Sequence, residues 1–340
     1  MRAATLLWIW TAINATLLAL FAGRVADSGD HLFSFVVFAA LSFAVAGMAV
    51  SKTVRRSEAR IRSIRDLVWS KLRANKSAMM GMVVIIALLY VALLAPFLAP
   101  SDPYEIDWGT VASGPTGDYV FGTDDMGRDV LSRAIFGLRI VLGVAVLAVI
   151  ANMILGTTLG LLAGYYGGAV DSVIMRILEM WNSIPFILLA IALMAALGTG
   201  LFNLVLVVSL TSILPLARLI RGQVLVIKKS QFVDAARVMG VPGVFILSRH
   251  VLPHCIAPIV VMATLKVGET ILTISGLSFL GLGIQPPTPS LGAMLSVGQQ
   301  YLYNNVLMSI VPGVLILLTV LNFNLFGDGL RDAFDARIKR

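Results

Sequence analysis

Lys266 and Glu269 stand three residues apart inside a long apolar run. At that spacing they share a helix face and can pair. Charges within an apolar span are costly and normally face a bundle interior or water. Two readings are open: a structural ion pair, or a translocation-path site for a zwitterionic solute. Arg176 and Glu179 repeat the spacing near the start of another apolar run, where a structural pair is the simpler reading. His250 and His254 lie four apart beside Cys255, the single cysteine. Pro253 falls between the rings and no third ligand follows at a matching spacing, so no metal centre is expected. His250 instead reads as a contact to another protein or to lipid head groups. Asp124, Asp125 and Asp129 interleave with Arg128 and Arg133. That pattern builds either a salt-bridged cap or a surface for docking a second protein.

Catalytic constellations are missing from the sequence. There is no G-x4-G-K-[ST] phosphate loop, and the dipeptide Gly-Lys never occurs. Hydrolysis of ATP by a P-loop within this chain is therefore excluded. No HExxH and no GxSxG is present, and no catalytic residue is assigned. Gly160, Gly164, Gly167 and Gly168 follow no strand and suit close helix packing better than phosphate binding.

The segment Gln231–Pro253, QFVDAARVMGVPGVFILSRHVLP, has a different character. It is short, polar and basic, between two apolar runs. Phe232 to Met239 reads as a short helix with small residues on one side. Gly240 can end it, because glycine takes a left-handed conformation at little cost. Val241-Pro242-Gly243 turns the chain, Val244 to Val251 can form a second helix, and Pro253 is expected to close it. The result is a helix-turn-helix elbow small enough to seat in a groove on another protein.

The elements that position these residues are membrane spans. The chain is 58% hydrophobic and 13% charged, with a mean hydropathy of +0.92. Soluble domains are usually about 45–50% apolar and about 25% charged. A transmembrane helix needs about 20 apolar residues. The runs that qualify are residues 5–22, 32–50, 79–98, 140–163, 173–197, 202–219, 256–282 and 306–326. With the N-terminus inside, only Arg24, Arg128, Arg133 and Arg139 of the 26 Lys and Arg fall outside, and Lys266 lies within a span. The others are cytoplasmic, and this asymmetry sets the orientation. Both termini and the Asp234 elbow are then expected in the cytoplasm. The basic residues sit at the ends of apolar runs, so the +8 net charge does not indicate nucleic acid. Three parts follow: a transmembrane hairpin over 1–51, a basic interfacial segment over 52–77 on the anionic inner leaflet, and a six-span core over 78–340.

The elbow resembles the EAA motif, the cytoplasmic coupling loop of ABC importer permeases. Ala235, Ala236, Gly240, Leu252 and Pro253 match; Asp234 stands where the family usually has Glu, and His250 where it usually has Ile. Other strings agree in order: Phe121–Arg133 (FGTDDMGRDVLSR), Ala163–Gly168 (AGYYGG), Leu277–Gly283 (LSFLGLG), Gln285–Pro289 (QPPTP), Gly292–Leu295 (GAML) and Phe323–Asp332 (FNLFGDGLRD). From about residue 70 onward the chain looks like the "C" permease of dipeptide/oligopeptide/nickel importers. Two departures stand out. Residues 1–51 have no counterpart in the usual six-span member, and Ile274 lies roughly where the family often carries an acid.

The resemblance implies an all-α membrane protein with the type I ABC importer fold, six core helices plus an N-terminal two-helix hairpin. It implies a multi-pass subunit of the bacterial inner membrane. Its expected partners are a homologous second permease, two cytoplasmic ABC ATPase subunits and a periplasmic or extracellular substrate-binding protein. No cofactor is expected in this chain, with ATP and Mg bound by the ATPase subunits. Asp234, Ala235, Ala236, Gly240, His250, Leu252 and Pro253 would form the coupling loop; Lys266 and Glu269 the translocation path; Asp124, Asp125, Arg128 and Asp129 the binding-protein dock. Short peptides are the expected solute, with nickel or another small polar solute as the alternative. A lone ion-coupled secondary transporter belongs to a different class. It would need mid-span polar clusters and broken helices in repeated halves.

Overall fold

The computed structural model describes residues 64–335. The chain divides into two compact units, Met1–Ser63 and Ile64–Arg340, and the described residues belong to the second. The expected spans over 5–22 and 32–50, and residues 52–63 of the basic segment, lie outside the described residues. Every regular element within them is helical.

Four continuous helices are long and apolar enough to cross a membrane, and two bent pairs bring the spans to six when each pair is one span. α1 (Ile64–Ala74) ends at Asn75, which starts α2 (Lys76–Leu93). The Asn75 Oδ1 accepts the Ala78 N–H at 3.2 Å, one of the amides that an unmade cap would leave open. Pro96 cannot continue that helix, so a separate turn, α3 (Ala95–Leu98), follows. α4 (Val130–Tyr166) is 37 residues long, about 55 Å at 1.5 Å per residue, well beyond the ~30 Å of a hydrocarbon core. It begins ten residues before the expected span, because the Asp129 carboxylate caps it by accepting from Ser132 N at 2.8 Å.

The expected span over 173–197 is not straight. α5 (Gly168–Asn182) and α6 (Phe186–Leu197) meet at 90°. Pro185 lies in the break; it lacks an N–H and disfavours the helical conformation of Ile184 before it. The next span is α7 (Leu201–Thr211) and α8 (Ile213–Ile227), bent by 45°. Here Asn152 of α4 reaches across, donating from Nδ2 to the Ser209 carbonyl at 2.7 Å.

α9 (Gln231–Val238) and α10 (Gly243–Ile246) form the elbow, and α11 (Leu252–Phe279) continues from it. Pro253 does not close a helix, contrary to expectation. It sits in the first turn of α11, where its missing N–H is not needed. A π-helical turn, Leu247–Val251, joins α10 to α11, so residues 243–279 run on as one long span. α12 (Leu291–Gly298) is a short helix that the span count did not foresee, and α13 (Leu307–Asp335) ends the described chain.

α4 is the hub. It packs on α8, α11, α7, α2 and α5, and α13 packs on α2, α11 and α12. The α4–α8 contact depends on glycine. A Cβ at Gly156 would lie 2.8 Å from Leu216, at Gly160 2.6 Å from the Ala217 carbonyl, and at Gly164 2.7 Å from Val224. Gly160 and Gly164 thus serve close packing as expected, whereas Gly167 and Gly168 carry positive φ at the α4–α5 turn.

Candidate functional site

The elbow is seated on the ends of the spans. Val233 and Ala236 of α9 are buried with Leu216, Ile220 and Val224 of α8 and with Ile246, Val251 and Cys255. Apolar positions three apart on an eight-residue helix anchor one face and leave the other outward. Phe232, Val238, Met239, Val244 and Phe245 are exposed, Val238 at 89% and Met239 at 74%. Large apolar side chains so exposed beside charged ones mark a surface that meets protein or membrane. These residues were not singled out from the sequence; their spacing relative to Val233 and Ala236 was the available signal.

Gly240 has φ +76°. Its N–H bonds the Arg237 carbonyl at 2.9 Å, and the Val241 N–H reaches back to Ala236 at 3.1 Å. This is the paired bonding of a Schellman C-cap, which favours glycine in the left-handed position. Asp234 is exposed, and its Oδ1 lies 3.1 Å from Arg237 Nη1; the Arg237 guanidinium also lies over the Tyr165 ring of α4. Ala235 faces out and Ala236 faces in. The reading of this helix as carrying its small residues on one side is therefore revised, because the two alanines face opposite ways. Ala236 is small because it lies under the elbow, against the chain's own helices. His250 is half-buried and its carbonyl lies 2.8 Å from His254 Nδ1. The His254 ring stacks on Phe232 at 5.1 Å. Leu252 is half-buried and Pro253 exposed at the start of α11.

Three further contacts lie at this end of the bundle. Arg221 of α8 holds Asp171 of α5 side-on, donating from Nε and Nη2 to the two carboxylate oxygens at 2.5 and 2.6 Å. Lys228 Nζ donates to the Gly164 carbonyl at 2.7 Å, a cation at the C-terminal end of α4, where helix dipoles favour it. Glu179 lies 3.5 Å from Arg218 of α8, a neighbour that the i, i+3 reading with Arg176 did not identify.

At the opposite end of α4, the acidic and basic residues turn inward. Asp124, Arg128, Asp129 and Arg133 are buried. Arg128 Nε lies 2.7 Å and Arg133 Nε 3.1 Å from Asp124 Oδ2, and Asp129 is spent on the helix cap. Of the four residues expected to dock a second protein, only Asp125 is half-exposed. Burying the carboxylates without their arginines would be costly, and together they form a closed knot. Asn305 pins this loop to the segment before α13, donating to the carbonyls of Ser113 at 3.0 Å and Phe121 at 3.1 Å.

Lys266 and Glu269 meet within α11, with Nζ 2.7 Å from Oε1. The lysine side chain is 10% exposed and the glutamate 65%. The pair is thus asymmetric, with a sequestered cation and an open carboxylate halfway along a span.

Residues 156–340 match the family described as the binding-protein-dependent transport system inner membrane component. Residues 63–115 match the N-terminal TM domain of oligopeptide transport permease C. The chain is 41% identical to the dipeptide transport system permease protein DppC of Alkalihalophilus pseudofirmus, across 80% of this chain and 89% of that protein. It is 42% identical to the glutathione transport system permease protein GsiD of Pectobacterium atrosepticum, across 80% and 90%. Identity to GsiD of Escherichia coli O6:K15:H31 is 44%, with the same coverage.

Proposed function

Since this chain belongs to the binding-protein-dependent transport system inner membrane components, permeases of ABC importers with the type I fold, we propose that it carries short peptides inward by alternating access. The relatives' dipeptide and glutathione names support the peptide class. The single observation that carries the mechanism is the elbow: a short helix anchored through Val233 and Ala236 against α8, with Val238, Met239, Val244 and Phe245 exposed on its outer side.

In this reading two ABC ATPase subunits bind the elbow from the cytoplasm, and they alone hold ATP and Mg. Asp234, Ala235, Gly240, His250, Leu252 and Pro253 belong to that contact, with Ala236 as its seat. A homologous permease completes the pathway, and a periplasmic or extracellular binding protein delivers the solute to the loop organised by Asp124, Asp125, Arg128 and Asp129. Both termini are cytoplasmic, following the distribution of Lys and Arg. Lys266 and Glu269 line the translocation path. The hairpin over 1–51 is an addition outside the core. Closure of the ATPases is felt through the elbow, and the core changes state because the two states bind the ATPases differently.

The test is reconstitution in liposomes. The complete complex accumulates dipeptide with ATP inside; the chain alone accumulates none, with or without an ion gradient. Uptake by the lone chain on a proton or sodium gradient would sink this reading and favour a secondary transporter.

A further inference from the structure

Glu269 poses a physical problem. It sits on α11, ten residues short of the helix end at Phe279, and its side chain is 65% exposed on this subunit. A carboxylate at that depth cannot face hydrocarbon; it must meet water or protein. Its partner does not remove the difficulty. Lys266 is 10% exposed, so the ammonium is tucked into the bundle and holds only Oε1, at 2.7 Å. Among the described residues, no hydrogen bond engages Oε2. The pair therefore presents one oriented, unsatisfied acceptor.

Beside it lies a groove of about 310 Å³ lined by Leu272, Ser275, Gly276 and Phe279 of α11, Leu295 of α12 and Gly313 of α13. Leu272 is one turn from Glu269, about 5 Å along the axis. Added Cβ atoms at Gly276 would meet nothing within 4 Å, so the glycine leaves space and not a packing contact. Ser275 is 5% exposed, and its hydroxyl finds no partner.

We propose that Glu269 and this groove form a subsite for the α-ammonium end of a short peptide, with the first side chain in the groove. This rests on the reading of the chain as a peptide permease. The chemistry selects the ligand. The free carboxylate oxygen accepts from an ammonium. A side chain on the adjacent carbon begins only a few ångströms away, which is the separation of Glu269 from Leu272 along one helix face. A peptide carboxylate is repelled by Glu269 and cannot reach the buried Lys266. A divalent cation would need several more oxygen ligands than one carboxylate supplies. Lys266 acts as a positioning residue, because it fixes the rotamer of Glu269.

The test uses the assembled complex in nanodiscs and in liposomes, with dialanine and N-acetyl-dialanine as probes. Saturation-transfer NMR is expected to detect dialanine on the wild-type complex, and to lose it about tenfold for the acetylated probe or for Glu269→Gln, the ratio for one charge-assisted hydrogen bond. Glu269→Asp should recover part of the signal. In liposomes, Glu269→Gln should slow dialanine uptake while ATP hydrolysis stimulated by the binding protein continues. Equal signals from wild type and Glu269→Gln overturn the subsite and leave the permease reading intact. Failure of Glu269→Gln to assemble with the second permease also overturns it, since Glu269 is then a subunit contact. If the wild-type complex takes up no peptide at all, the peptide reading and the subsite fail together.

Discussion

Ala235 and Ala236 are adjacent and chemically identical, yet the fold gives them opposite tasks. Ala236 is 2% exposed under the elbow, and Ala235 faces out. Ala236→Leu adds volume to a filled site, which typically costs about 1–3 kcal/mol. It should lower the melting temperature of the purified subunit. Ala235→Leu should leave melting unchanged and weaken capture of the ATPase subunits. Gly240→Val forces a branched side chain to φ +76°, at about 1 kcal/mol or more. No atom lies within 4 Å of a Cβ there, so the penalty is conformational and confined to the turn. That variant should insert and assemble its spans, but its elbow should fail to couple binding-protein stimulation to ATP hydrolysis. Wild-type coupling in both Ala235→Leu and Gly240→Val would remove the elbow from the ATPase contact.

Among elements, α4 and α8 have the closest approach that governs the elbow. Gly160 lets α8 come near enough that a Cβ would sit 2.6 Å from a backbone carbonyl. Backbone cannot move aside as a flexible side chain can. Gly160→Leu should therefore push α8 outward and tilt the elbow that Leu216, Ile220 and Val224 carry. The expected outcome is a subunit that melts lower and loses ATPase stimulation although no elbow residue is altered. A Gly160→Leu protein with wild-type melting would show that the helices are not in contact at that point. The bent pairs matter at the same scale. An irregular backbone at membrane depth must be covered by protein or line a watery cavity, and the break at Asn182–Pro185 is exposed on this subunit. Under the proposed function, its cover is the second permease or the pathway itself.

For the whole molecule, the fold offers a direct test of orientation. Cys255 is fully buried, so introduced cysteines can be read against a quiet background. Trp108→Cys in the long loop before α4 should react with an impermeant maleimide added outside intact cells. Val238→Cys on the elbow should react only after permeabilisation. The reverse pattern would invert the topology and remove the elbow from the cytoplasm. A second whole-molecule expectation concerns residues 1–51. Deleting them while keeping the basic segment should preserve assembly and ATP-driven uptake, because the matches to the family begin at residue 63. Loss of stimulated hydrolysis in a well-folded deletion would make residues 1–51 part of the mechanism.

Composition and periodicity determined that this is a helical membrane protein, because apolar length and charge placement act locally and leave a direct trace in the sequence. The order Asp234-Ala235-Ala236, Gly240, Leu252-Pro253 was enough to locate the elbow and to assign Gly240 its left-handed conformation, since a helix C-cap is also a local device. What depended on distant residues was not legible. The inward turn of Ala236 requires α8; the burial of Asp124, Arg128 and Asp129 requires the loop pinned by Asn305, some 180 residues on. The long helix through Pro253 requires a π turn that no periodicity announces. The asymmetry of Lys266 and Glu269 is of the same kind. Spacing alone puts them on one face, but only packing decides which charge is enclosed and which is left open, because exposure is set by neighbouring helices and not by the helix that carries the residues.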